Sequence, residues 1–210
     1  GSANVQLVPT KRDAIRLANK AFGKGFAQFD GHGNLKERIR KYKEGKDTLW
    51  GVCKGIGRLI IPTELAKMVG PEKGYVYFQD FIPNNVFDIR IIIVGDKAFG
   101  IKRLVRKNDF RASGSGKIDY DMDSIDKRMI KIALETSEEC GFQCMAYDFL
   151  YDDENPVICE ISYTYVDHLV YKCPGYWDKT LIWHSGHYMP QYFILKDLLN
   201  VNLVHPNNQY

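Results

Sequence analysis

The chain has 210 residues, 45% apolar and 26% charged, enough for one globular domain or two small lobes, and this composition excludes disorder. Twenty-nine basic against 26 acidic side chains leave a net charge of +3, which gives no case for a dedicated nucleic-acid protein and points to a small-molecule partner. No apolar run approaches the roughly 18 residues of a membrane span, no charged-then-apolar leader opens the chain, and the five cysteines Cys53, Cys140, Cys144, Cys159 and Cys173 form no paired framework, so reduced thiols in a cytoplasmic chain are expected.

Gly1-Ser2 is either a tag remnant or the middle of a glycine-rich loop. Thr10 with Asp13 three residues on marks a helix start, and Ala14, Ala18, Ala21 and Phe22 share one face before Gly23. Residues 23–74, rich in Gly and Lys, are expected to form a mobile lobe with one short helix near 62–69. From Tyr75 the pattern becomes β: 75–82, 87–94 and 98–105 are aromatic and β-branched runs, with Gly95-Asp96 as a tight turn between the last two. A second helix is expected over 124–140, with Ile125, Met129, Ile132 and Ala133 apolar and Gly141 ending it. Strands 144–151 and 157–162 follow, joined by the turn-rich residues 152–156, and the chain then becomes aromatic.

Register exposes charge. With Gly95-Asp96 as a two-residue loop, Val94 pairs with Lys97 and Asp88 faces Arg103, with Arg90 on the same face. Ile89, Ile91 and Ile93 take the other face as core. Either this is a cross-strand ion pair on a solvated face, or it belongs to a basic cluster with Lys102, Arg106, Lys107 and Arg111 beside the Gly/Ser run 113–116, which suits polyphosphate. In the second hairpin, a five-residue loop over 152–156 pairs Tyr151 with Val157 and sets Asp148 opposite Glu160 and Ala146 opposite Ser162. Facing carboxylates repel, so they need a cation or a shared proton. Mg²⁺ or Mn²⁺, a retaining-glycosidase pair, or a solvent-facing acidic edge all fit that spacing.

Cys140 and Cys144 with His184 and His187 also invite a zinc site, against which stands their packing as ordinary small side chains. The aromatic tail from Tyr163 to Tyr192 can stack on sugar rings or serve as core.

The phrases Tyr77-Phe78-Gln79-Asp80-Phe81-Ile82-Pro83, Phe87-Asp88-Ile89-Arg90, Asn108-Asp109-Phe110-Arg111 and Cys159-Glu160-Ile161-Ser162, with Asp148, resemble the ATP-grasp superfamily, nearest its carboxylate–amine ligases. Residues 107–116 and 173–178 resemble a bacterial subgroup associated with surface-polysaccharide biosynthesis. The resemblance implies an α+β fold of two lobes with antiparallel sheets, a small lobe over 1–79 and a large lobe over 80–210. It implies ATP with Mg²⁺ or Mn²⁺ as cofactors, and small acid and amine substrates, sugar-linked in that subgroup. Gln79, Asp80, Phe81 and Ile82 would form a hinge reading adenine, with Asp80 or Asp88 near the nucleoside and Ser2 and Asn4 in the phosphate loop. Arg103 would neutralise phosphate, while Arg90 and Arg111 approach the transferred phosphoryl group or the carboxylate. Asp148 and Glu160 match the metal carboxylates, and Ser162 stands where the family commonly has asparagine. The family's upstream lysines and N-terminal domain are absent from the sequence, so the resemblance implies a C-terminal portion. A nucleotide-binding module without turnover is the alternative function.

Overall fold

Thr10 caps the first helix as its spacing predicts. Its hydroxyl accepts from the backbone N–H of Asp13, and α1 runs Lys11–Phe22 to Gly23, whose N–H returns to the carbonyls of Asn19 and Lys20. The computed structural model describes residues 5–27, 31–43, 45, 47–60, 68, 70–105, 112 and 116–199. Within these the chain divides into two compact units, 1–81 and 82–210.

The first unit is helical where sequence patterning suggests irregular structure. α2 (Gly31–Lys43) and α3 (Leu49–Ile60) lie against each other. The three glycines of α3 argue against a helix, because glycine costs about 1 kcal/mol relative to alanine in a helix interior. Gly55 shows what offsets that cost: a Cβ there would come within 3.1 Å of both Leu35 Cδ1 and Arg38 Cδ, so its absence lets the helices approach closely. Arg38 then reaches across to Asp47 and to the Gly51 carbonyl. Among the described residues this unit carries one isolated antiparallel bridge, Phe26 to Glu72. Phe22, assigned to the buried face of α1, is exposed, and only Ala21 of that helix is buried. The short helix expected near 62–69 lies mostly outside the described residues. The aromatic run 75–82 forms no strand, and Tyr75, Tyr77, Phe78 and Phe81 are exposed. Aromatic content favours a strand only where a neighbouring strand exists to pack against.

The second unit is a sheet of seven antiparallel strands. In chain order they are β1 (Phe87–Val94), β2 (Lys97–Leu104), β3 (Ile118–Asp119), β4 (Cys144–Asp152), β5 (Asn155–Ser162), β6 (Gly175–Asp178) and β7 (Trp183–Ser185). Their order is β5-β4-β1-β2-β6-β7, with β3 also on β2. The helices are α4 (Lys127–Cys140), α5 (Asp167–Tyr171) and α6 (Pro190–Leu199). α4 is capped by Asp126 and ends at Gly141 with φ 66°, the left-handed conformation that favours glycine.

Both faces of the sheet are covered, whereas sequence reasoning assigns core to one face only. Ile89, Ile91, Ile93, Tyr147 and Phe149 pack against Met129, Ile130 and Ala133 of α4. On the opposite face Ile92, Val94, Phe99 and Ile101 meet Val170 and Phe193 from α5 and α6. This explains the unbroken apolar run of β1, since a strand buried on both sides does not alternate. The aromatic tail is largely core, with Tyr176, Tyr188 and Phe193 in mutual ring contact.

Chain entry into this sheet is fixed by Asn85. Its amide donates to the Tyr151 carbonyl and accepts from the Tyr151 N–H, both at 2.9 Å.

Candidate functional site: an alternating charge network at one end of the sheet

Two strand pairs place the charged side chains. The β1–β2 register is the one the Gly95-Asp96 turn dictates, so Asp88 faces Arg103 and Val94 faces Lys97. On the other side of β1, Arg90 faces Asp148 of β4. Directly paired residues share a face, so Asp88, Arg90, Arg103 and Asp148 converge.

Their contacts alternate in sign. Arg103 Nε donates to Asp88 Oδ1 and its Nη2 to Oδ2, both at 2.6 Å, and Nη2 also lies 2.7 Å from Asp148 Oδ2. Arg90 grips Asp148 in the same forked way, Nε to Oδ1 at 2.5 Å and Nη2 to Oδ2 at 2.7 Å. The order is Asp88–Arg103–Asp148–Arg90. Asp88, Arg103 and Asp148 are only 8%, 7% and 5% exposed, which overturns the ion pair on a solvated face. Taking such charges out of water costs several kcal/mol per ion, and bidentate geometry is what offsets it. Burial pushes the Asp88 carboxyl up from its ordinary value, opposed by the hydrogen bonds from Arg103. For Arg103 burial acts downward, but its bonds and charge interactions with Asp88 and Asp148 win, and its guanidinium is held charged.

Glu160 arrives opposite Asp148 as expected, and Ser162 opposite Ala146, but by a different route. The turn is not the five residues 152–156. Asp152 pairs with Asn155, leaving a two-residue loop, and Tyr151 pairs with Pro156 rather than Val157. That register alone would misplace Glu160 by one residue. A β-bulge at Cys159, between the Phe149–Ile158 and Asp148–Glu160 pairs, restores it. The Cys159 thiol donates to the Asp148 carbonyl at 3.2 Å. Burial first, then the charges of Asp148, Asp88 and Glu160, push that thiol up to about 12.

The donor set suits a hard divalent cation. Among the described residues, Asp148 Oδ2 accepts from two guanidinium groups and Oδ1 from Arg90, which with respect to these residues leaves an acceptor direction on Oδ1. Glu160 is exposed on the edge strand and Ser162 is half-buried two residues beyond it. Among the described residues no three His, Cys, Asp or Glu side chains converge as a metal cage, so a cation here would complete its shell with Ser162, water and substrate oxygens, as Mg²⁺ commonly does. The zinc grouping does not form: Cys144 contacts the Tyr165 hydroxyl, His184 pairs with Asp178 and His187 with the Tyr171 carbonyl.

The structure thus brings Asp88, Arg90, Arg103, Asp148, Glu160 and Ser162 together. Gln79, Asp80 and Phe81 are exposed at the end of the first unit, and Ile82 opens the second. Ser2, Asn4 and Arg111 lie outside the described residues. Sequence reasoning missed a cleft of about 420 Å³ behind the entry to β1, lined by Ile82, Asn84, Phe87, Tyr151 and Asp153 among others. The Asn84-Asn85 pair preceding β1 was its available signal. No helix among the described residues is long and apolar enough to cross a membrane.

The second unit is thus a mixed α+β domain whose antiparallel sheet carries a buried alternation of acids and arginines beside an exposed carboxylate. The RimK-like ATP-grasp domain matches residues 61–166, half of the chain and all six of the convergent residues, and the chain belongs to that family. No curated protein matches it.

Proposed function

We propose that this chain carries the catalytic site of an ATP-dependent ligase that joins a carboxylate to an amine. The supporting observation is the Asp88–Arg103–Asp148–Arg90 network with Glu160 facing Asp148 inside the matched domain. In this reaction an oxygen of the substrate carboxylate attacks the γ-phosphorus of ATP as the bond to the β–γ bridging oxygen breaks, giving ADP and an acyl phosphate. The amine nitrogen then attacks the acyl carbon and inorganic phosphate leaves, the nitrogen's extra proton passing to solvent.

Such chemistry is mostly positioning and charge neutralisation. Asp148, Glu160 and Ser162 would hold Mg²⁺ or Mn²⁺, which would supply charge neutralisation to the phosphate oxygens. Arg90 engages Asp148 through Nε and Nη2, and its remaining Nη1 donors would serve the phosphoryl group. Arg103 supplies fixed positive potential, and Asp88 serves the nucleotide side of the site as its anchor. Arg111 adds a further cation at the transferred group. By the family resemblance, Ser2 and Asn4 would serve the triphosphate, and Gln79, Asp80, Phe81 and Ile82 would read the adenine edge. The motifs at 107–116 and 173–178 support acid and amine substrates of surface-polysaccharide biosynthesis, in the cytoplasm. The mutual engagement of both arginine forks favours one other reading, a nucleotide-binding module without turnover. ADP release from Mg²⁺-ATP, stimulated by an added acid and amine, decides between them: stimulation establishes the ligase, and ATP binding without stimulated release establishes the module.

A further inference from the structure

The two ladders of the β4–β5 hairpin differ by one residue. From the turn, partners run Asp152–Asn155, Tyr151–Pro156, Leu150–Val157 and Phe149–Ile158; beyond the bulge they run Asp148–Glu160, Tyr147–Ile161 and Ala146–Ser162. Continuing the turn's register without interruption would set Cys159 opposite Asp148 and Glu160 opposite Tyr147. Tyr147 lies in the fully buried layer under α4, so Glu160 would point at the apolar face and Asp148 would have no acidic partner across the hairpin. A slip of one residue exchanges the faces of every side chain beyond it.

The extra residue is Cys159, and its thiol occupies the Asp148 carbonyl at 3.2 Å. A bulge disrupts the ladder locally, and here the side chain of the inserted residue bonds back across it to the strand it opposes. We infer that Cys159 is a positioning residue for the metal site: its insertion, held by the thiol bond to the Asp148 carbonyl, brings Glu160 onto the face of Asp148. This rests on the reading of Asp148 and Glu160 as metal-binding.

The test compares Mn²⁺ binding, followed by electron paramagnetic resonance with a non-hydrolysable ATP analogue present, in the unsubstituted chain, Cys159→Ser, Cys159→Ala and Glu160→Gln. The expected result is that Cys159→Ala weakens Mn²⁺ binding roughly three- to tenfold, the loss of one modest hydrogen bond, that Cys159→Ser restores it to within about twofold because the hydroxyl donates to the same carbonyl, and that Glu160→Gln weakens it more than either. Should Cys159→Ala fail to fold, Cys159→Val, which lacks the donor but keeps the volume, takes its place. Cross-strand nuclear Overhauser effects between residues 148 and 160 should weaken in the alanine or valine variant and persist in the serine variant. Unchanged Mn²⁺ binding in the donor-less variant, with Glu160→Gln weakened, would overturn the positioning role alone. Unchanged binding in Glu160→Gln would instead overturn the metal reading beneath it.

Discussion

The hairpins β1–β2 and β4–β5 both set an acidic residue directly across from a charged partner, and they resolve the charge in opposite ways. In the first, Asp88 meets Arg103 in an unbroken register near the middle of the sheet, and both are buried. In the second, Asp148 meets Glu160 across a bulge, with Glu160 exposed on the edge strand. The inner pair is internally neutralised and its removal should be felt as lost stability. In the outer pair Asp148 is already neutralised by Arg90 and Arg103, while Glu160 is exposed, so removal of Glu160 should be felt as lost binding.

The largest expected effect follows from the inner pair. Replacing Arg103 by Met leaves Asp88 without its forked partner and removes one of the two guanidinium groups on Asp148, which should cost about 3–5 kcal/mol in urea unfolding; a loss below about 1 kcal/mol would break the contrast. Glu160→Gln should change unfolding free energy by less than about 0.5 kcal/mol, as for other exposed positions, while abolishing Mg²⁺-dependent ATP consumption. Retained consumption would put the two hairpins in one class.

A smaller effect separates packing from charge. A Cβ at Gly100 would come within 3.0–3.2 Å of Ile125 and Trp177 side-chain atoms, so Gly100→Ala should destabilise the sheet by about 1–3 kcal/mol through overpacking, without altering the Mg²⁺ concentration needed for half-maximal ATP consumption. Thr10→Ala, which removes the α1 cap far from either hairpin in sequence, should cost about 1 kcal/mol and serves as the reference for a loss with no bearing on the site.

Acid titration gives the smallest and most specific contrast. Asp178 accepts from the Thr180 hydroxyl and N–H, from His184 and from the Ile182 N–H, which hold its carboxyl well below the ordinary value of 3.8. A depressed carboxyl contributes stability that is present above its unfolded pKa and is lost as pH falls below it. Asp178→Asn should therefore flatten the stability loss between about pH 4 and pH 2 in urea midpoints. Asp88, shifted upward by burial, has the reverse sign: its contribution declines as pH rises from 3.8 through its folded value, so Asp88→Asn should not flatten that same acid limb.

These contrasts bear on what could be read before the fold was known. The Asp88–Arg103 pairing was legible because Gly95-Asp96 permits one tight turn and the register follows from it. The Asp148–Glu160 pairing was reached through a loop three residues too long, an error that the bulge at Cys159 compensates; nothing in local composition marks an insertion whose purpose is to realign a distant carboxylate. α2 and α3 were illegible for another reason: Gly31 and Gly55, which suggest a loop, are spaces for the neighbouring helix, a fact of tertiary contact alone. The exposed aromatics of 75–81 misled through propensity, since a strand needs a partner.

Asn85 shows how such a sheet can begin cleanly. β1 starts at Phe87, yet the Asn85 side chain already satisfies both the donor and the acceptor of the Tyr151 peptide. A carboxamide stands in for a peptide group, so the edge of the ladder is closed before the backbone joins it. The segment that precedes β1 therefore need not run alongside β4 for the Tyr151 N–H and carbonyl to be satisfied.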